Sequence, residues 1–208
     1  MVETLDTPII KEPTSISENT QPHRFRSENK QELIQQSAHK TQTGKWEVYL
    51  NSPMTEQEDL ERKEIIASEP RSVLVVCYAG KNRSKFIAQL LNERGYVATN
   101  IGAGNTRGGA KPLTSEDILK TNPEAIICMN KYIVENFEEQ AKGLGIYSEI
   151  VEHTPIRTIG FGDNSAFYEA DPELKQQRLA ELKGYAEKVL DRLGFVKVQH
   201  SATPNSLK

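Results

Sequence analysis

The sequence predicts an α/β fold, a three-layer sandwich in which a four-stranded parallel sheet lies between two layers of helices. Short apolar runs, typical of strands buried on both faces, alternate along the chain with segments whose apolar residues recur at helical intervals. This alternation is repeated four times within residues 71–198. Because strands that are joined through helices run parallel, the pattern favours a parallel sheet with helices on both faces.

The segment ahead of this domain is polar and is expected to contribute little to the core. Residues 1–45 are rich in Ser, Thr, Gln, Asn and Glu, and apart from a short helical pattern over 27–38 they predict a disordered or loosely ordered extension. Residues 46–70 are interpreted as an arm and a helix that pack on the core. Trp46 begins an alternating pattern typical of an extended arm, and a capping box predicts a helix over 55–68.

The elements of the domain follow in regular order, beginning with the apolar run 73–76 as the first strand. The second and third predicted strands span 97–101 and 125–129, and a fourth lies within 151–159. The predicted helices span 84–94, 115–120, 131–142 and 172–193. Asp171 and Pro172 fit the N-cap and first position of the last helix. Residues 199–208 are expected to form a flexible tail.

Composition argues against several classes of protein. The chain of 208 residues has 26 Lys and Arg against 29 Asp and Glu, a net charge of −3 that is unlike a dedicated nucleic-acid binder. No apolar run approaches the roughly 20 residues of a membrane span, and the first ten residues lack the basic start of a secretory signal. Two cysteines and four dispersed histidines predict neither a disulfide framework nor a zinc site. A cytoplasmic protein is expected.

The residues that carry chemistry follow the first predicted strand. Residues 77–84 read Cys-Tyr-Ala-Gly-Lys-Asn-Arg-Ser, which is C-x5-R-S between a buried strand and an amphipathic helix. A loop that leads into a helix N-terminus directs successive backbone N–H groups inward and binds an anion with the help of the helix dipole. The same field lowers the pKa of Cys77 and gives a thiolate nucleophile.

The other loop residues are predicted to bind the anion. The guanidinium of Arg83 is expected to hold two phosphate oxygens, and the hydroxyl of Ser84 to donate to the sulfur. Gly80 permits the tight turn. The full set of predicted substrate-binding residues is Tyr78, Ala79, Gly80, Lys81, Asn82 and Ser84.

The order of these motifs along residues 73–193 resembles the low-molecular-weight protein tyrosine phosphatase superfamily. The matching features are C-x5-R-S after the first strand, Ala103-Gly104 after the second, Cys128-Met129 at the end of the third, and an acid-bearing loop before the last helix. Dual-specificity phosphatases have a similar loop sequence, but their nucleophile lies late in the fold with mostly helices after it. Three strands follow Cys77 here, so the resemblance implies a low-molecular-weight phosphatase-like fold.

Several short segments are also similar to the RNA polymerase II C-terminal-domain phosphatases of this superfamily. They are Asn82-Arg83-Ser84, Arg94-Gly95-Tyr96, Gly102-Ala103-Gly104 and Asp163-Asn164. The chain also departs from the family pattern. About 70 residues precede the first strand, where the family usually begins, and the longer segment of that subgroup between strands two and three is absent. Gly80 stands where the family commonly has Asn.

The leaving group of a thiolate attack needs a proton, which a carboxylic acid above the loop supplies before it activates water. Asp163 directly follows the fourth predicted strand, and the carboxyl ends of parallel strands face the same crevice. Asp171 belongs to an Asp-Pro dipeptide of the kind found at the acid of the resembled family, but it also fits the N-cap of the last helix. Asp163 is favoured as the general acid, and Asp171 is the alternative.

These features predict a metal-independent phosphoprotein phosphatase that acts on phosphotyrosine or phosphoserine through a phosphocysteine, with Cys77, Arg83 and Asp163 as catalytic residues and no cofactor. The expected partners are a phosphorylated protein or peptide, and phosphate or vanadate in the loop, but neither nucleic acid nor membrane. The N-terminal extension is a candidate partner-binding segment. The alternatives are a non-catalytic phosphate-binding module and an arsenate reductase-like enzyme, although the latter needs two further cysteines and only Cys128 is available.

Overall fold

The computed structural model describes residues 22–104 and 113–198, with side chains from residue 33 onward. The chain divides into two compact units, Met1–Ile34 and Gln35–Lys208. In the first unit the structure describes residues 22–34, which are helical. All features below belong to the second unit.

A four-stranded parallel sheet forms the centre of the second unit, as predicted. The strands are β1 (Ser72–Cys77), β2 (Val97–Gly102), β3 (Ala125–Cys128) and β4 (Ile156–Thr158), in the order β2-β1-β3-β4. Residues 73–77 of β1 and all of β3 are buried, which explains their continuous apolar sequence. Because β2 and β3 lie on opposite sides of β1, a crevice forms beyond the carboxyl end of β1, where Cys77 ends the strand.

Helices cover both faces of the sheet. They are α1 (Pro22–Asn51), α2 (Glu56–Ser68), α3 (Arg83–Glu93), α4 (Ser115–Thr121), α5 (Lys131–Gly143) and α6 (Pro172–Arg192). The connections from β1 to β2 and from β2 to β3 run in opposite directions, so right-handed crossovers place α3 on one face and α4 and α5 on the other. Helix α6 packs beside α3. The described helices include none that is both long and apolar enough to cross a membrane.

Local capping explains where several helices begin. The predicted capping box of α2 is present, since Thr55 and Glu58 each bond the backbone N–H of the other. The side chain of Asn130 accepts a hydrogen bond from the Ile133 N–H at the start of α5. Asp171 caps α6, as predicted, by accepting from two backbone N–H groups.

The prediction for the N-terminal extension is wrong in part where the structure describes it. The short helix predicted over 27–38 is present, but it is part of the longer helix α1, which also includes the residues from 22 to 45 that were expected to be loosely ordered. The extended arm predicted from Trp46 onward is the last part of the same helix. The alternation of apolar residues there is misleading, because Trp46 is 2% exposed whereas Val48 is 72% exposed. Residues 1–21 and the predicted flexible tail 199–208 lie outside the described residues.

One buried and one half-buried arginine connect the end of α1 and helix α2 to the rest of the unit. Nη1 of Arg192 donates to the Ser52 carbonyl oxygen at 2.8 Å, and its Nη2 donates to the Glu58 carboxylate at 3.2 Å. Arg157 on β4 donates to the Glu61 carbonyl oxygen and bonds the Glu64 carboxylate, both on α2. Arg157 therefore joins α2 to β4, the edge strand of the sheet.

Replacement of Trp46 by Ala tests whether the residue is a buried part of a helix or part of an exposed arm. We expect the free energy of unfolding to fall by about 3–5 kcal/mol, because the indole is buried and its Nε1 donates to the Ile159 carbonyl oxygen at 2.8 Å. Urea denaturation followed by circular dichroism measures the change.

Val48→Ala is the matched control, since Val48 lies two residues away on the exposed face of the same helix. Its free energy of unfolding should stay within about 0.5 kcal/mol of the wild-type value. Equal effects of the two substitutions would contradict the placement of Trp46 in the core.

Candidate active site

Hydrogen-bond donors converge on the buried sulfur of Cys77. The side chain lies at the end of β1 and is 2% exposed. The Gly80 N–H donates to Sγ at 3.1 Å, and the hydroxyl oxygen of Ser84, on the first turn of α3, lies 3.0 Å from Sγ. The predicted loop therefore turns its backbone inward around the sulfur.

The net effect of this environment is a Cys77 pKa below the ordinary thiol value. Burial alone raises the pKa, because it disfavours the charged thiolate. The Ser84 hydroxyl and the backbone N–H groups of Ser84, Gly80 and Ala79 together outweigh burial, since each donates to the thiolate. The thiolate of Cys77 is thus favoured although the side chain is buried.

The conformation of the loop depends on close contact with the end of β2. Gly80 has φ +65°, and a Cβ atom there would lie 2.7 Å from the backbone nitrogen of Gly102. The Ala103 N–H donates to the Cys77 carbonyl oxygen at 2.9 Å, and the Gly104 N–H donates to the Tyr78 carbonyl oxygen at 2.7 Å. The Gly-Ala-Gly segment therefore supports the Cys77 loop through its backbone.

Asn100 on β2 is a supporting residue that the sequence analysis missed. Its Nδ2 donates to the Gly80 carbonyl oxygen at 2.8 Å. The sequence contained a signal for this role. Asn100 is an amide residue two positions before Gly102, the last residue of β2, and the carboxyl end of β2 lies at the same sheet edge as the Cys77 loop.

Arg83 links the Cys77 loop to the loop that follows β4. Its Nη1 donates to the carbonyl oxygens of Phe161 and Gly162, at 2.9 and 3.3 Å. Asn82 and Asn164 also bond across the two loops, with Nδ2 3.4 Å from Oδ1. The structure thus brings the predicted nucleophile loop and the predicted acid-bearing segment together.

Asp163 lies on that segment, which we define as the acid loop, residues 160–165. Its side chain is 5% exposed. Oδ1 accepts from the Ser165 N–H at 2.8 Å, and Oδ2 accepts from the Ser165 hydroxyl at 2.9 Å. These bonds hold the carboxyl group in one orientation beside the Cys77 loop.

The competing aspartate, Asp171, has the capping role predicted for it. It is exposed at the start of α6, where Oδ1 accepts from the backbone N–H groups of Glu173 and Leu174 at 2.9 and 3.0 Å. Asp163, in contrast, lies on the loop that Arg83 joins to the Cys77 loop.

Two polar residues of α1 reach the acid loop, and the sequence analysis missed both. Gln42 bonds three backbone groups of the loop, and Nδ1 of His39 lies 4.0 Å from Oδ2 of Asp163. The hydrophobic pattern could not find them, because both side chains are polar and nevertheless 3% and 5% exposed.

The remaining predicted residues differ in their exposure. Lys81 is exposed at the tip of the loop, whereas Tyr78 and Ala79 are half-buried. Cys128 is fully buried in β3, and desolvation, followed by the charge of Glu138, raises its pKa to about 12. The described residues 22–104 and 113–198 contain no group of three His, Cys, Asp or Glu side chains arranged to hold a metal ion.

The lowered pKa of Cys77 predicts fast alkylation by iodoacetamide near neutral pH. The half-maximal rate should occur below about pH 8.5, the ordinary cysteine pKa, because the thiolate forms at lower pH. Ser84→Ala removes one donor and should move the midpoint to higher pH. Mass spectrometry of peptides from the folded protein measures the rate at each cysteine.

Ser52→Ala, on an exposed serine far along the chain, is the control and should leave the midpoint unchanged. Cys128 should react far more slowly than Cys77, because burial raises its pKa to about 12 and so disfavours its thiolate. An unchanged midpoint in Ser84→Ala would show that its hydroxyl does not stabilise the thiolate.

A pair of glycine substitutions tests the close contact between the Cys77 loop and β2. Gly80→Ala should weaken vanadate binding at least tenfold, as titrated by calorimetry, because its Cβ atom would displace the loop from Gly102. Gly145 has a similar φ of +73° but nothing within 4 Å of its Cβ position. Gly145→Ala therefore carries the same backbone strain without the collision, and its vanadate affinity should equal that of the wild type. Equal losses in both variants would refute the contact.

Comparison of the chain with protein-family models, with curated proteins and with solved structures found no match. The case for a site therefore depends on the chain's own residues. It consists of a buried cysteine surrounded by donors at a helix N-terminus, an arginine that joins two loops, and an aspartate held on the second loop.

Proposed function

We propose that the protein is a phosphoprotein phosphatase that works through a phosphocysteine intermediate, on a fold like that of the low-molecular-weight protein tyrosine phosphatases. The observation that carries the proposal is the convergence of the Ser84 hydroxyl and of backbone N–H groups on the sulfur of Cys77. Donors that stabilise a thiolate also suit the oxygens of a phosphate group that binds next to the sulfur.

In the first step the thiolate of Cys77 attacks the phosphorus atom of a phosphate monoester. An S–P bond forms while the P–O bond to the leaving group breaks, and the leaving oxygen takes a proton from the carboxyl group of Asp163. The inward-facing N–H groups of the loop stabilise the charge on the phosphoryl oxygens. Because the chain's own N–H groups and guanidinium supply this stabilisation, the mechanism needs no metal ion.

In the second step water hydrolyses the phosphocysteine. The carboxylate of Asp163 accepts a proton from the attacking water, a new P–O bond forms, and the S–P bond breaks. The Ser84 hydroxyl donates to the sulfur as it leaves as a thiolate. Inorganic phosphate is released, and both Cys77 and Asp163 return to their starting forms.

Arg83 serves both loops in this mechanism. Within the described part of the chain its hydrogen bonds are made through Nη1, to the carbonyl oxygens of Phe161 and Gly162. The other edge of the guanidinium fork is then the part that binds phosphate oxygens. Substrate binding at Arg83 and the placement of the acid loop are thereby coupled.

The arsenate reductase-like alternative is disfavoured by the environment of Cys128. A relay of disulfides needs a second thiol that reaches the first, ionises readily and is accessible. Cys128 is fully buried in β3 and its pKa is raised to about 12. The substrate class that we propose is therefore a phosphorylated peptide or protein, with either phosphotyrosine or phosphoserine.

Hydrolysis of p-nitrophenyl phosphate in the presence of EDTA tests the proposal. We expect turnover that vanadate inhibits, because vanadate occupies the anion site of the loop. Cys77→Ser should abolish it, and Asp163→Asn should lower kcat by about 10²–10⁴-fold, the usual contribution of a general acid. Asp171→Asn is the matched control and should retain kcat within a few-fold.

The same assay separates the proposal from its alternatives. A wild-type protein that binds vanadate but does not turn over would instead be a phosphate-binding module. Loss of activity in Asp171→Asn with full activity in Asp163→Asn would reverse the assignment of the acid.

A further inference from the structure

Helix α1 presents a buried polar face to the acid loop. His39, Gln42, Thr43 and Trp46 recur at intervals of one helical turn, and all four are buried. Polar side chains are buried at a cost unless they find hydrogen-bond partners. Thr43 donates to carbonyl oxygens of α1 itself, whereas His39, Gln42 and Trp46 have partners on α6, on the acid loop and at Ile159 just before it.

Gln42 bonds the backbone of the acid loop at three positions. Its Nε2 donates to the Gly160 carbonyl oxygen at 3.0 Å, and its Oε1 accepts from the N–H groups of Gly162 and Asp163 at 2.9 and 3.1 Å. Two glycines make this segment flexible, since glycine restricts the backbone least. One amide side chain therefore fixes the backbone on both sides of Gly162 and at the acid itself.

Trp46 and His39 lie on α1 one helical turn after and one helical turn before Gln42, and both contact the same region of the chain. Trp46 donates to the Ile159 carbonyl oxygen at 2.8 Å, and its ring lies 4.9 Å from that of Phe161. Nε2 of His39 lies 2.8 Å from Oε2 of Glu181 on α6, which orients the imidazole. Nδ1 is buried, has no hydrogen-bond partner among the residues that the structure describes, and lies 4.0 Å from Oδ2 of Asp163.

We propose that Gln42 and His39 are positioning residues for the general acid, so that α1 is part of the active site. Gln42 holds the backbone of Asp163, and His39 occupies the side of the carboxyl group that faces α1. The inference rests on the proposed function, because it assigns these residues to the protonation of the leaving group by Asp163.

The test compares two substrates that depend differently on the acid. Phenyl phosphate needs a proton on its leaving oxygen far more than p-nitrophenyl phosphate does, because phenol is the poorer leaving group. Gln42→Met keeps the size of the side chain and removes its three hydrogen bonds. We expect kcat for phenyl phosphate to fall about tenfold to a hundredfold, as for a misplaced catalytic group, with only a few-fold loss for p-nitrophenyl phosphate.

The other kinetic readouts separate positioning from general damage. KM should change little, because the anion loop at Cys77 is untouched. Gln42→Glu keeps an oxygen that accepts from the N–H groups of Gly162 and Asp163. Its ratio of kcat for phenyl phosphate to kcat for p-nitrophenyl phosphate should therefore lie between those of Gln42→Met and the wild type. His39→Ala should shift the ratio of kcat values in the same direction as Gln42→Met.

Lys45→Met is the matched control, since Lys45 lies on the exposed face of the same helix. It should leave both kcat values unchanged. A merely structural role for Gln42 would lower both activities in parallel with the folded fraction, so an unchanged ratio in Gln42→Met overturns the proposal.

Failure of the inference and failure of the proposed function look different. If Asp163→Asn selectively loses phenyl phosphate hydrolysis while Gln42→Met and His39→Ala keep the wild-type ratio, only the positioning role is refuted. If the wild-type protein hydrolyses neither substrate, the phosphatase function is refuted and the positioning role with it.

Discussion

The buried sulfur of Cys77 imposes the strictest requirement on this fold, because a thiolate removed from water is stable only where donors surround it. The chain supplies those donors from its own backbone, so the loop must reverse direction within a few residues of the strand end. Gly80 makes the reversal with a positive φ and brings the loop backbone against Gly102. Gly80 in the loop and Gly102 at the end of β2 are thus required by the same close contact. The central position of β1 provides supporting strands on both sides.

The link between the two loops follows from the same requirement. Arg83 stands at the first position of α3, where its charge would oppose the positive end of the helix unless it met electron-rich groups. The carbonyl oxygens of Phe161 and Gly162 provide them, and the acid loop is thereby drawn to the N-terminus of α3. Phe86 on α3 also packs against Phe161 and Phe167, and these aromatic contacts support the same placement of the acid loop. One arginine therefore joins the loop that we propose binds the anion to the loop that carries Asp163.

The sheet, its helices and the Cys77 loop were predictable because their signals are local. Buried parallel strands have continuous apolar sequences, and the C-x5-R-S loop contains its donors, glycine and arginine within eight residues. Helix α1 was not predictable in the same way. Its buried face consists mostly of His39, Gln42 and Thr43, so hydrophobic periodicity is absent, and its partners lie more than 100 residues away. The alternation at Trp46 then indicated an extended arm that the structure does not contain.

A helix with a polar buried face implies that α1 and the acid loop are ordered together. Each satisfied hydrogen bond contributes only about 0.5–1.5 kcal/mol, whereas a buried group left without a partner costs about 1–3 kcal/mol. Without Gln42, the loop backbone at Gly160, Gly162 and Asp163 would lose three partners at once, and without the loop the amide of Gln42 would lose all of its own. The packing of Trp46 on Phe161 adds an apolar contact between the same two segments. Residues 39–46 of α1 are therefore part of the structure that holds Asp163 in place.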